Sequence, residues 1–258
     1  MSSQPSINTP RLFVDEPLNA GAEIAAAEGQ AHYLRQVMRR EAGAPMRLFN
    51  GRDGEWIATL NFQGKKNASF TVTTQTRTQA AEPALTLAFA PLKSHRLEMI
   101  IEKATELGAV TLQPVITARS IAQKVNEARL QAIAVEAAEQ CERLTVPLIA
   151  APLKWSAFIS ALQADVNTTT YFLDEDAARR GVAAGPATVW RAAATPALIL
   201  VGPEGGFTAD EAFAVRALPR AVPLSLGPRI LRAETAAIAA LACWQALSGD
   251  WRGPQTGG

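Results

Sequence analysis

The feature that most constrains this chain is a change of hydrophobic texture near residue 80. Before it, apolar residues come in short runs broken by turn formers. Met46–Phe49 and Trp56–Leu60 flank Asn50–Gly54, a hairpin-like connection, and Asn67–Thr76 (NASFTVTTQT) is rich in β-branched residues. The best helical stretch in this part is Ala31–Arg40. A small β-barrel-like domain over residues 1–78 is expected, followed by a linker at Gln79–Pro83. After the linker, strands alternate with amphipathic helices. Leu85–Ala90, Val110–Ile116, Thr170–Leu173, Ala197–Val201 and Val222–Leu226 read as strands. Ser94–Leu107 reads as a helix, with Leu97, Ile100, Ile101, Ala104 and Leu107 on one face and Gly108 as its stop. Glu127–Leu144 reads as a second helix, ended before Pro147, and Ala233–Leu247 as a last one. Such alternation predicts a parallel sheet covered on both faces, over residues 84–250.

A chain of 258 residues, 48% hydrophobic and 19% charged, has the composition of a globular protein with a substantial core. Its net charge of +1 gives no global basic signal, so a nucleic-acid surface would have to be local. Cys141 and Cys243 form neither a disulfide framework nor a metal-ligand pattern, and both are expected as buried, inert thiols. The two histidines, His32 and His95, lie in different textures, and no metal site is expected. The first residues lack the charged start and apolar run of a secretory leader, and no run approaches membrane-spanning length. A cytoplasmic protein is expected. The end, Gly253–Gly258, reads as a frayed tail.

Three segments carry candidate chemistry. The strand Ala197–Val201 runs into Gly202–Gly206 (GPEGG), and Thr208-Ala-Asp-Glu211 then forms a capping box that opens a helix. Ligands of open α/β sheets bind beyond the carboxyl ends of strands, and glycines there allow the backbone close to a ligand. A plain strand-to-helix turn is the other reading; three glycines, a proline and an acid favour a ligand. No GxxxxGK[ST] and no GxGxxG after the first α/β strand are present, which argues against phosphate-loop and ordinary dinucleotide sites. The second segment is Leu226–Ala236 (LGPRILRAETA). Arg216, Arg220, Arg229 and Arg232 lie between Ala212 and Ala233 with no acid among them. They suit a phosphate or carboxylate at a helix start, or simply form a solvated basic face. The third is Glu139–Arg143 (EQCER), where Glu139 and Arg143 stand at i,i+4 and could pair on a helix surface. Lys93, Lys103, Arg119 and Lys124, with Arg35, Arg39 and Arg40, could line an RNA groove or be solvated charges.

Taken in order, these segments resemble one family. RLFVDEPL (Arg11–Leu18), HYLRQVMR (His32–Arg39), FNGRDGEW (Phe49–Trp56), EKATELG (Glu102–Gly108), QPVITARS (Gln113–Ser120), EAAEQCER (Glu136–Arg143), VGPEGGF and LGPRILRAETA are similar to the bacterial 16S ribosomal RNA uracil-N3 methyltransferases. Those enzymes belong to the SPOUT superfamily of knotted methyltransferases. Ala233 and Ala109 depart from the family's usual threonine and valine. The segment from about Asp174 to Thr195 and the tail match no motif and receive no role.

The resemblance implies an α/β fold: an N-terminal PUA-like β-barrel that helps hold RNA, and a C-terminal SPOUT domain with a parallel sheet and a trefoil knot. It implies S-adenosylmethionine as cofactor, 16S rRNA of the small ribosomal subunit as partner, and a homodimer. The cofactor pocket would comprise Leu173, Leu200, Val201, Gly202, Glu204, Gly205, Gly206, Leu226, Gly227, Pro228, Ile230, Leu231, Arg232 and Thr235. Catalytic candidates are Arg232, Glu204, Glu139 and Arg143, with Glu204 either a base or a residue that shapes the turn. RNA contacts would fall to Arg11, Arg35, Arg39, Arg40, Lys93, Lys103 and Arg119. The expected reaction is methylation of N3 of one uridine. The alternatives are a related enzyme acting on another rRNA or tRNA base, a non-catalytic RNA-binding assembly protein and, third, a metabolic α/β enzyme with a small anionic substrate.

Overall fold

Residues 9–27, 29–64, 67–121, 124–190 and 196–252 are described by the computed structural model, the side chain of Ser94 excepted. The tail Gly253–Gly258 and the first eight residues lie outside the described residues. Contacts divide the chain into two units, Met1–Ala81 with Ala138–Val146, and Glu82–Ala137 with Pro147–Gly258. The first is therefore discontinuous in sequence.

In the first unit, β1 (Arg11–Phe13), β2 (Glu23–Ala25), β3 (Pro45–Phe49), β4 (Glu55–Gln63) and β5 (Asn67–Arg77) form one sheet in the order β1-β3-β4-β5-β2. Pairing is antiparallel except for β1 on β3, where Arg11 stands beside Arg47. Leu12, Ile24, Leu34, Met46, Leu48, Leu60, Phe70 and Val72 make its core. Ala31–Arg40 is not one regular helix: a short α1 (Gln30–His32) passes into a π-helical turn that ends at Val37.

Besides this apolar core, the unit buries an ionic cluster at the β1 edge of its sheet. Arg11 Nε donates to Glu55 Oε2 at 2.6 Å, both side chains being 2% exposed. Arg47 Nη1 and Arg77 Nη1 stand 3.8 and 4.0 Å from the same oxygen. Arg11 then donates through Nη1 to Ala138 O at 2.7 Å and through Nη2 to Arg143 O at 2.6 Å. Burial lowers the Arg11 pKa from its ordinary value, with Glu55 acting against the shift.

These contacts correct several expectations. Helix α3 (Glu127–Gln140) ends four residues before the predicted Leu144, because Glu142 turns left-handed at φ 60°. Arg11 caps carbonyls of its last turn, a frequent way to satisfy helix ends. Arg143 thus lies beyond the helix and is buried, so it does not share an exposed helix surface with Glu139. Glu139 Oε1 accepts from Phe13 N at 2.9 Å, and Arg143 is buried with Nε donating to Thr145 Oγ1 at 3.0 Å. Arg11 is likewise buried in this network and offers RNA no exposed guanidinium. Cys141 is exposed and Cys243 half-buried, since Cys141 lies just past the helix end and Cys243 stands at the margin of the packed face of the helix Ala233–Leu247.

In the second unit, β6 (Leu85–Phe89), α2 (Ser94–Glu106), β7 (Thr111–Ile116), α3, β8 (Leu148–Ile149), β9 (Leu153–Lys154) and α4 (Trp155–Ala164) come first. Then follow β10 (Thr169–Leu173), α5 (Glu175–Arg179), α6 (Pro186–Val189), β11 (Ala197–Val201), α7 (Ala209–Arg216), β12 (Ala221–Leu224) and α8 (Ala233–Leu247). The sheet order is β12-β10-β11-β6-β7-β8, with β9 also on β7, and every pairing is parallel. All five residues of β11 are buried, as a strand covered on both faces requires. Phe158, Phe172, Leu200, Ala212 and Val215 share one core cluster, and α2 packs with α8. β12 ends at Leu224, so Leu226 belongs to the loop and not to a strand. The helix α4 and the short α5 and α6 carry no signal recognised in the sequence.

Removing one partner of a buried ion pair costs about 3–5 kcal/mol, because the other charge is stranded. Arg11→Ala is expected to destabilise the first unit by about that amount in urea titration. A loss below about 1 kcal/mol, the size of an exposed pair, would contradict this account.

Candidate functional site

The parallel strands place their carboxyl ends together, and there the second unit opens a cleft of about 1040 Å³. Phe172 and Leu173 come from the end of β10, Val201 from β11 and Leu224 from β12. Successive strands run β6, β7, β8 toward one edge and β10, β11 toward β6 from the other. The direction of winding thus changes at β6 and β11, the place where open α/β sheets hold ligands.

Two loops complete the walls. The first follows β11. A Cβ at Gly202 would lie 2.7 Å from Phe207 Cε2, and that ring is held by Phe172 and Trp155 at centroid distances of 5.0 and 5.4 Å. Only glycine lets the chain pass so close to the ring. Gly206 adopts φ +69°, after which Thr208 and Glu211 form the expected capping box. Glu211 Oε1 also accepts from Ala118 N at 2.7 Å, and Arg119 Nη1 donates to Gly205 O at 2.6 Å. The turn is thereby tied to the loop after β7. The second loop, Ser225–Leu231, follows β12 and carries Gly227 at φ +106°. It ends at Arg232, the N-cap of α8, which supplies no side-chain cap, so the first N–H groups of α8 retain their donor capacity.

Charge is distributed unevenly around the cleft. Arg216, read as a free cation in the sequence, makes a two-pronged contact with Asp174, Nε to Oδ2 at 2.6 Å and Nη2 to Oδ1 at 2.8 Å. Arg220 donates to Thr169 Oγ1 at 3.0 Å. Burial would raise the Asp174 pKa, but hydrogen bonds from Arg216 and the Ala177 amide outweigh it and hold the carboxyl below its ordinary value. Arg229 and Arg232 remain exposed at the lining. Arg96 of α2 donates to Glu204 Oε1 and lies 3.6 Å from Glu234.

The cleft gathers Leu173, Val201, Gly202, Glu204, Gly205, Gly206, Leu226, Gly227, Pro228, Ile230, Leu231 and Arg232 from the predicted set. Two predicted members are not among its lining residues. Leu200 is fully buried beneath the turn, in the core with Ala212 and Val215, because strand side chains alternate faces. Thr235 is exposed on the first turn of α8, off the face that Ala233 and Ala236 present. Glu139 and Arg143 do not line the cleft either. Of the basic residues, Arg119 lines it, whereas Lys103 is flanked by Glu102 and Glu106, each at 2.8 Å. Lys93 is exposed at the start of α2. In the first unit, Arg35 donates to Gly64 O and covers the Phe62 ring, Arg39 is exposed, and Arg40 is half-buried. Sequence reading passed over Arg96 and over Asp174–Asp176 with Arg179, which line the wall formed by α5. No motif marks Arg96, whose only signal is a charge at the edge of the apolar face of α2, one turn before Ile100.

Residues 80–245 match the family described as RNA methyltransferase domain. Ribosomal RNA small subunit methyltransferase E of Rickettsia conorii is 35% identical over 90% of this chain and 93% of its own. The protein so named from Synechocystis is 34% identical, over 95% of this chain and 80% of its own. The chain belongs to the ribosomal RNA small subunit methyltransferase E family. Among solved structures, the Neisseria gonorrhoeae member bound to S-adenosyl methionine has a TM-score of 0.83 at 28% identity, covering 95% of this chain and 100% of that one. A Legionella pneumophila methyltransferase in complex with the same cofactor gives identical values. The N-terminal sheet and the C-terminal parallel α/β sheet are the architecture of this family.

Two outcomes test the geometry. Gly202→Ala forces its methyl against a ring packed on both sides; overpacking of this kind costs about 1–3 kcal/mol. The variant is expected to melt at lower temperature and to bind cofactor more weakly, and wild-type values for both would refute the close approach. For Asp174, a depressed folded-state pKa contributes stability above the unfolded value, near 3.8, that is lost as pH falls through the lower folded value. Asp174→Asn is expected to be less stable than wild type at pH 7, with the gap closing in acid below about pH 4. Urea titrations at stepped pH check this, and a gap constant down to pH 3 contradicts it.

Proposed function

We propose that this chain is an S-adenosylmethionine-dependent methyltransferase acting on N3 of one uridine in 16S rRNA of the small ribosomal subunit. The observation that carries the reading is the cleft at the carboxyl ends of β10, β11 and β12, walled by two glycine-bearing loops, in a chain that aligns with its relatives over nearly their whole length.

The residues present fit this cofactor. Backbone groups of Gly202–Gly206 and Leu226–Leu231 stand ready for the adenine and the methionine portion, and Phe172, Leu173, Ile230 and Leu231 supply apolar surface. Gly206 and Gly227 take conformations that L side chains rarely adopt, which keeps those backbones open to a ligand. When bound, S-adenosylmethionine supplies an electrophilic methyl group on a sulfonium. The chain's contribution is then to align the uracil nitrogen with that group, and alignment alone can supply several kcal/mol of a barrier. Arg232, exposed at the cleft beside the uncapped start of α8, is placed to meet negative charge on uracil oxygens or a phosphate. Glu204 shapes the turn, since its Oε1 is already taken by Arg96. The target uracil must be unstacked to reach the cleft.

The family resemblance extends the proposal. The loops after β10, β11 and β12 would thread a trefoil knot, two copies would form the working homodimer, and the first unit, as a PUA-like module, would hold RNA through Arg35, Arg39 and Arg40. The reaction would take place in the cytoplasm; no helix among the described residues is long and apolar enough to cross a membrane.

Calorimetric titration with S-adenosylmethionine, followed by methyl transfer to unmodified small ribosomal subunits and mass mapping of the product, tests the whole reading. Saturable binding and a single N3-methyluridine are expected. Absence of cofactor binding would point instead to an RNA-binding assembly protein, and a product elsewhere to another RNA target. Arg232→Ala is expected to keep cofactor affinity but lose on the order of 10²-fold in kcat/KM for RNA. Full turnover by that variant would remove the assigned role.

A further inference from the structure

Arg96 sits early in α2, at the margin of the apolar face formed by Leu97, Ile100, Ile101 and Ala104 and one turn before Ile100. Its guanidinium reaches the cleft, where two acids share it. Nη1 donates to Oε1 of Glu204, on the glycine turn after β11, and Nε lies 3.6 Å from Oε1 of Glu234, in the first turn of α8. Glu234 is buried, and its second oxygen, Oε2, has no hydrogen-bond partner. A buried carboxylate with an unpaired oxygen depends heavily on whatever cation stands beside it. Placed without a cation between them, the two acids would repel, and the turn and the start of α8 would separate.

We propose that Arg96 is a positioning residue for the cleft: by joining Glu204 to Glu234 it sets the spacing between the glycine turn and the N-terminus of α8, and so the grip on the cofactor. A planar guanidinium with five donors can serve two carboxylates at once, whereas a lysine ammonium is a single point charge. Arg96 acts through these two acids and not by touching reacting atoms. The inference rests on the reading that the cleft holds S-adenosylmethionine.

The test compares Arg96→Met, Arg96→Lys, Glu204→Gln and the Arg96→Met, Glu204→Gln double variant by calorimetric S-adenosylmethionine titration, steady-state kinetics and thermal melting. Arg96→Met is expected to raise Kd and KM for the cofactor about tenfold, to change kcat at saturating cofactor by less than about threefold, and to remain folded. Arg96→Lys recovers part of the affinity. The double variant is no weaker than Arg96→Met alone, because both changes break one connection. If Arg96→Met does not fold, Glu204→Gln, which breaks the same connection, carries the same expectation of a raised Kd. Wild-type Kd in Arg96→Met, additive losses in the double variant, or a fall in kcat alone would overturn the role. Wild-type protein that binds no S-adenosylmethionine overturns the cofactor reading and the positioning role with it, whereas wild-type binding shared by every variant overturns the positioning role alone.

Discussion

The cleft depends on the approach of Gly202 to the Phe207 ring. β11 is buried along its whole length, so its exit point is set by the core on both faces of the sheet. At that exit the chain must turn past an aromatic ring already wedged between Phe172 and Trp155. The ring transmits the rigidity of the core to a loop that would otherwise be free. Once the turn is fixed, Arg119, Glu211 and Arg96 have defined groups to hold, and the remaining walls can be assembled around it.

Much of this was legible in the sequence, for particular reasons. Ala197–Val201 reads as a buried strand because it is short, wholly apolar and stopped by glycine, and α8 spans Ala233–Leu247 as its apolar spacing predicts. The capping box at Thr208 and Glu211 is equally local, since both partners lie within one turn. What could not be read was pairing between distant residues. Arg216 looks like a free cation until the end of β10 brings Asp174 beside it, and Arg11 looks like an exposed RNA contact until Glu55 and the carbonyls of Ala138 and Arg143 surround it. The early end of α3 has the same origin: apolar spacing continues to Leu144, but the left-handed turn at Glu142 breaks it where Arg47 and Arg77 bind that residue.

The four arginines between Ala212 and Ala233 fall into two kinds. Arg216 and Arg220 are spent on β10 and its neighbours, while Arg229 and Arg232 are presented at the cleft. A run that looks uniformly basic in one dimension is sorted by the fold into structural cations and available ones. Arg96 forms a third case, a cation shared by two acids on separate loops.

The discontinuity of the first unit has a consequence for its birth on the ribosome. Its five strands are all made within the first 77 residues, and their apolar core can collapse at once. Two of the donors of Arg11, however, find their acceptors 127 and 132 positions later, at Ala138 and Arg143. Until that stretch has been synthesised, the guanidinium on edge strand β1 has Glu55 but lacks these two carbonyls. The N-terminal unit therefore reaches its final state only after the first piece of the second unit, Glu82–Ala137, has been synthesised, and contacts of such long sequence separation slow the last step of folding.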